Sequence, residues 1–68
     1  MLERVLEMFA QGWVVELGSY YGTEVAEDAE AIRECFEEVE EDEEGWLYVD
    51  VKFFEEEQRV EVFVGSDE

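Results

Sequence analysis

The side chains able to do chemistry in this chain are overwhelmingly carboxylates. Eighteen Glu and four Asp stand against Arg4, Arg33, Arg59 and Lys52, a formal net charge of −18. Paired carboxylates can share a proton for acid–base catalysis or hold a divalent cation. With 22 acids in 68 residues, close pairs arise by chance, so pairing alone carries no information. The remaining residue types narrow the field. The chain has no histidine, so it can form no Ser/His/Asp or Cys/His set. Cys35 is the single cysteine, which precludes an internal disulfide and a Cys/His metal cluster. No glycine-rich phosphate loop occurs, and "DEEGWLYVD" lacks the D-x-[DN]-x-[DN]-G opening of a calcium loop. The expectation is a non-enzyme with no catalytic residue, no cofactor and no dedicated metal site.

The acids are concentrated. "FEEVEEDEEGW", Phe36 to Trp46, holds seven acidic residues between two aromatics and no base. At about 100° per residue, Glu27, Glu30, Glu34, Glu37, Glu38 and Glu41 fall within an arc of about 100°. They lie opposite an apolar stripe of Val25, Ala29, Ile32, Phe36 and Val39. From Glu27 to Glu41 the rise is about 21 Å, roughly one charge per 4 Å, close to the ~3.4 Å spacing of phosphates along one DNA strand. Asp42, Glu43 and Glu44 extend the ridge, and Glu55 to Glu57 add charge elsewhere. Like charges at Glu30/Glu34, Glu34/Glu38 and Glu37/Glu41 each cost a few tenths of a kcal/mol. Ordinary exposed helices interleave Lys; this one does not. Solvation or adaptation to high salt is the plain alternative, weakened by the excess of Glu over Asp.

Elements must position this ridge. Leu2, Val5, Leu6 and Phe9 follow helical spacing from Leu2 to Gln11, and Gly12 supplies the stop. "WVVEL", Trp13 to Leu17, reads as a strand with Trp13, Val15 and Leu17 on one face. In "GSYYGTEVAEDAE" the tyrosines could extend that strand, and Thr23 or Asp28 could each cap the following helix. That amphipathic helix runs from the Val25 stripe to near Asp42. "WLYVDVKFF" and "RVEVFVG" alternate with period two around "EEEQ" and predict a β-hairpin. Leu47, Val49, Val51 and Phe53 then share a face with Val60, Val62 and Val64. The order helix, strand, helix, strand, strand predicts one α+β domain over 1–68, a two-layer, three-stranded antiparallel sheet with both helices on one face. High charge alone would suggest disorder, but 47% hydrophobic content with regular periods supplies a core.

The hairpin's outer face carries Trp46, Tyr48, Phe54 and Phe63, an apolar surface that suits a contact or dimer seam. Packing of these rings under the "SYYG" loop is equally compatible, and Tyr20 and Tyr21 share that ambiguity. Cys35, beside Ile32 and Phe36, has the position of an ordinary buried thiol.

In size, charge and the ridge "EDAEAIRECFEEVEEDEE", the chain resembles small acidic inhibitor proteins of phages and mobile elements that mimic DNA, including anti-CRISPR and anti-restriction proteins. The resemblance covers no sequence motif. It implies a stoichiometric inhibitor seated in the nucleic-acid-binding groove of a CRISPR effector complex or a restriction enzyme. Its partner-binding residues would be Glu27, Glu30, Glu34, Glu37, Glu38, Glu41, Asp42, Glu43 and Glu44, with Tyr20, Tyr21, Trp46, Tyr48 and Phe54 as apolar anchors. The alternative is another acidic protein-interaction module, such as a nuclease immunity protein or a salt-adapted subunit. Four scattered bases cannot neutralise a phosphate backbone, so direct nucleic-acid binding is not expected. The longest apolar run is "WLYV", and no hydrophobic signal segment follows "MLER". The expectation is a cytoplasmic protein without membrane contact, monomeric or weakly dimeric, whose partner is a basic nucleic-acid-binding protein.

Overall fold

The computed structural model describes residues 1–67. Six elements follow in order: α1 (Leu2–Ala10), β1 (Val14–Ser19), β2 (Gly22–Val25), α2 (Ala29–Glu40), β3 (Leu47–Phe54) and β4 (Arg59–Ser66). Helix α1 ends in a Schellman closure: the Trp13 N–H donates to the Met8 carbonyl at 3.1 Å and the Gly12 N–H to Phe9 at 3.0 Å. This geometry needs a left-handed residue, which Gly12 provides at φ 96°. At α2 the structure decides between the two candidate caps. Asp28 Oδ1 accepts the Ala31 N–H at 2.9 Å, satisfying one of the orphan donors of the first turn.

The sheet has four strands in the order β2-β1-β4-β3 and is mixed. The α+β class stands, but the expected three-stranded antiparallel sheet is overturned in two respects. "GTEV" is a strand rather than the start of a helix, paired antiparallel with β1 from Ser19↔Gly22 to Glu16↔Val25. Val25 is therefore an exposed edge-strand residue, and its place on the helical stripe is an accident of spacing. Second, β1 pairs with β4 in parallel, from Val14↔Arg59 to Gly18↔Phe63. The central position of β4 shows in its burial. The helix-side residues of β4 (Val60, Val62 and Val64) are all buried, whereas those of β3 are half-buried. The central strand is the more deeply buried, although β3 carries more apolar residues. Asp50 and Lys52 sit on the edge strand β3, where exposed charge disfavours further pairing.

Both helices cover one face of the sheet. Val5 from α1 and Ile32 and Phe36 from α2 pack with Val15, Leu17, Val60 and Val62, so both helices, β1 and β4 contribute through their predicted stripe or alternation. Burying each aliphatic side chain contributes about 1.5–3 kcal/mol. At the rim, the Arg4 guanidinium lies 4.9 Å from the Phe53 ring centre, a cation–π contact that covers the apolar edge of β3.

Candidate protein-interaction surface

Because Ile32 and Phe36 are drawn into the core, helical geometry turns the opposite side of α2 to solvent. Glu30, Glu34, Glu37, Glu38 and Glu41 are all exposed there. Glu30 to Glu41 spans a rise of about 16 Å, again near one charge per 4 Å. Arg33 approaches Glu30 at 3.9 Å, both side chains largely exposed, a contact worth a few tenths of a kcal/mol. Among the described residues, Glu34, Glu37, Glu38 and Glu41 have no ion-pair partner. The last turn of α2 contains no base, although the negative end of the helix dipole favours one. The acids are thus crowded where both neighbours and backbone oppose them.

The structure trims the expected ridge at its ends. Glu27 precedes the Asp28 cap and lies outside the helix, though it is exposed. Glu43 and Glu44 are exposed in the turn before Gly45. Asp42 differs from them. Its Oδ2 accepts the Leu47 N–H at 2.7 Å in a part-buried setting, so it fixes the start of β3 instead of facing outward freely. Glu24 was not singled out by the sequence. It pairs with Leu17 across β1/β2, which places it on the helix side of the sheet, and only recognition of β2 could have found it.

The uncovered face of the sheet holds two clusters. Near one end Arg59 gathers three carboxylates: Glu16 at 2.6 Å, Glu57 at 2.9 Å, and Glu61 in close contact. Its guanidinium also lies 4.3 Å from the centre of the Phe54 ring. These hydrogen bonds, Glu16 first, raise the Arg59 pKa still further. Phe54 is accordingly half-buried under Arg59. Near the other end Tyr20 meets Phe63 edge to face at 5.6 Å, and its hydroxyl donates to the Ser66 carbonyl at 3.4 Å. Tyr48 lies across Gly65, where an added Cβ would sit 2.5 Å from its ring. Hydrogen bonding with the Tyr20 hydroxyl is the largest cause raising the Tyr48 phenol pKa.

The aromatic residues thus divide. Tyr20 folds over the "SYYG" turn onto the sheet while remaining 68% exposed, and Tyr21 is fully exposed at the tip. Trp46 and Tyr48 are also exposed. They leave an apolar patch on the face opposite α2. The ridge and the aromatic patch lie on opposite sides of the molecule, so one flat partner cannot cover both.

Cys35 is half-buried behind the ridge. Burial raises its pKa first, and the nearby charges of Glu38, Glu24 and Glu34 raise it further. Among the described residues, no group of three or more His, Cys, Asp or Glu side chains is placed to hold a metal ion. No helix among them is long and apolar enough to cross a membrane. Comparison with known proteins returned no matching family model, curated protein or solved structure.

Proposed function

We propose that this protein is a stoichiometric inhibitor that imitates duplex DNA and occupies the nucleic-acid-binding groove of a basic target, with a CRISPR effector complex as the first target class. One observation carries the reading. The outward side of α2 presents carboxylates at near-phosphate spacing, and among the described residues Glu34, Glu37, Glu38 and Glu41 form no ion pair. Lys and Arg lining a duplex groove would exchange phosphate for carboxylate, releasing their counterions as they do on DNA. The net charge of −18 would accelerate encounter with such a groove and repel DNA itself. Glu43 and Glu44 extend the charge, while Glu27 adds to it from the segment before α2.

The test is competition. The protein should displace duplex DNA from the target and bind no DNA itself. Replacing Glu34, Glu38 and Glu41 by Lys should leave the fold intact, because all three lie opposite the buried stripe, and should weaken target binding by roughly 100-fold or more, since like-charge contact costs several kcal/mol. Reversal at Glu3 and Glu7 on α1 should do far less. A ternary complex of protein, target and DNA with unchanged DNA affinity would remove groove mimicry.

The exposed Tyr20, Trp46 and Tyr48 on the other face favour a second reading, an acidic interaction module such as a nuclease immunity protein that docks through its sheet. Under that reading the triple reversal leaves inhibition at its original strength and Tyr48→Ala abolishes it.

A further inference from the structure

The core is not closed evenly. On the helix-covered side of the sheet Val15, Val60 and Val62 are at most 1% exposed, but Leu17 and Val64 rise to 7% and 9%, and Leu47 beside them is half-buried. All three line a groove of about 740 Å³ at the end of the sheet where the Tyr20–Tyr21 turn approaches α2. Cys35 and Glu38 enter this groove from α2 and Glu24 from β2. It therefore combines an apolar floor with two carboxylates.

We infer that this groove receives a single lysine or arginine side chain from the partner, its methylene stem against Leu17, Leu47 and Val64 and its charged head between Glu24 and Glu38. The inference deepens the proposed function and rests on its premise that the partner is basic. Long cationic side chains bury their stems on apolar surface while the head finds anions, and charge-assisted bonds to carboxylate are the stronger kind. A purely apolar occupant would strip water from Glu24 and Glu38 and give nothing in return. A second copy of this chain is disfavoured by the repulsion between two charges of −18. The groove is also continuous with the ridge, because Glu38 belongs to both. A basic element lying along α2 thus has a side chain in reach of it.

Cys35 makes the idea measurable on the protein alone. A methanethiosulfonate reagent transfers its thioalkyl group to the thiolate and releases methanesulfinate. The ratio of rates for a trimethylammonium-ethyl and a sulfonatoethyl reagent reports local potential, and thiolate abundance cancels from it. Changing Glu24→Gln and Glu38→Gln together should lower that ratio roughly 10-fold. The control pair Glu55→Gln and Glu56→Gln, equal in charge but on the far β3–β4 turn, should leave it near its original value. All four side chains are exposed, so both variants should remain folded, which thermal melting checks. Equal ratios in the two variants would overturn a local anionic groove. The occupant is tested with N-acetyl-L-argininamide, which should slow alkylation of Cys35 by neutral iodoacetamide saturably, while N-acetyl-L-leucinamide and guanidinium ion should not. Equal protection by the leucine compound, or by bare guanidinium, would overturn the two-part site. Neither measurement involves a target, so failure here leaves the ridge reading standing; on the target side, Glu34→Lys with Glu41→Lys, which spares Glu38, tests the ridge without touching the groove.

Discussion

Glu16, Glu57 and Glu61 share one guanidinium, whereas Glu34, Glu37, Glu38 and Glu41 share none. The two groups are the same residue type in the same small domain. On the sheet, the carboxylates are turned into structure: they cross-link β1, β4 and the β3–β4 turn through Arg59 and seat that cation over Phe54. On α2 Arg33 reaches only Glu30, and towards the C-terminal end the helix dipole opposes the remaining acids. The contrast teaches that this chain does compensate acids where it needs them for folding. Among the described residues, the ridge has no such structural partner.

Four measurements can break or sharpen that contrast. The largest effect is expected from Arg59→Met, which leaves three carboxylates together with no cation and uncovers Phe54. Melting temperature should fall by on the order of 10 °C, while Glu37→Lys on the ridge should raise it slightly. A loss below about 2 °C would show that the sheet cluster is as idle as any surface ion pair. Next comes Asp42→Ala against Glu43→Ala, two neighbouring acids with different duties. Losing the bond to the Leu47 N–H should cost about 1 kcal/mol, near 5 °C for a domain this size, and the Glu43 change should be within error.

Third, screening should relieve the ridge selectively. Raising NaCl from about 10 mM to 150 mM shortens the Debye length from roughly 30 to 8 Å, and melting temperature should climb by about 3–5 °C. In a Glu34→Gln, Glu37→Gln, Glu41→Gln variant the climb should be less than half as large; an unchanged slope would place the repulsion elsewhere. The smallest effect involves Cys35, whose folded pKa is raised above 9.0 chiefly by burial. Above that pH the unfolded chain gives up the thiol proton before the folded one does, so stability should be unaffected below pH 9 and decline above it. Cys35→Ala should flatten the decline between pH 9 and 10. The same slope in both proteins would assign it to other groups.

Much of this arrangement was legible in the residues because it is local. Periodicity located α1, the β3–β4 hairpin and both faces of β1, β3 and β4, and it set the side of α2 on which the acids stand. What escaped was either unmarked or distant in sequence. A two-residue hairpin normally advertises itself by Asn-Gly or Gly within the loop. Here Tyr20 and Tyr21 keep negative φ and the positive φ falls on Gly22 at 137°, one residue later than the usual signal. "GTEV" is also exposed along its length, so it has no alternation to read. The parallel β1–β4 pairing joins two strands far apart in the chain, which no window of the sequence contains. At the site, Asp42 has the same charge as its neighbours, and only the fold reveals that the Leu47 backbone claims it. Glu24 was hidden for the reason that β2 was hidden.

The β1–β4 ladder also governs how this molecule can assemble. It joins two helix-plus-hairpin units, α1-β1-β2 and α2-β3-β4, each of which lacks the opposite strand needed to fill the sheet's centre. Val14 must find Arg59, and the entropy of closing that span is lost before the central valines meet. Neither unit should hold its shape by itself. Separated by a chain break at 27–28, the two pieces should be unstructured singly and regain the sheet only when mixed. Their reassembly would then be second order in concentration and, with like charge on both pieces, strongly accelerated by salt.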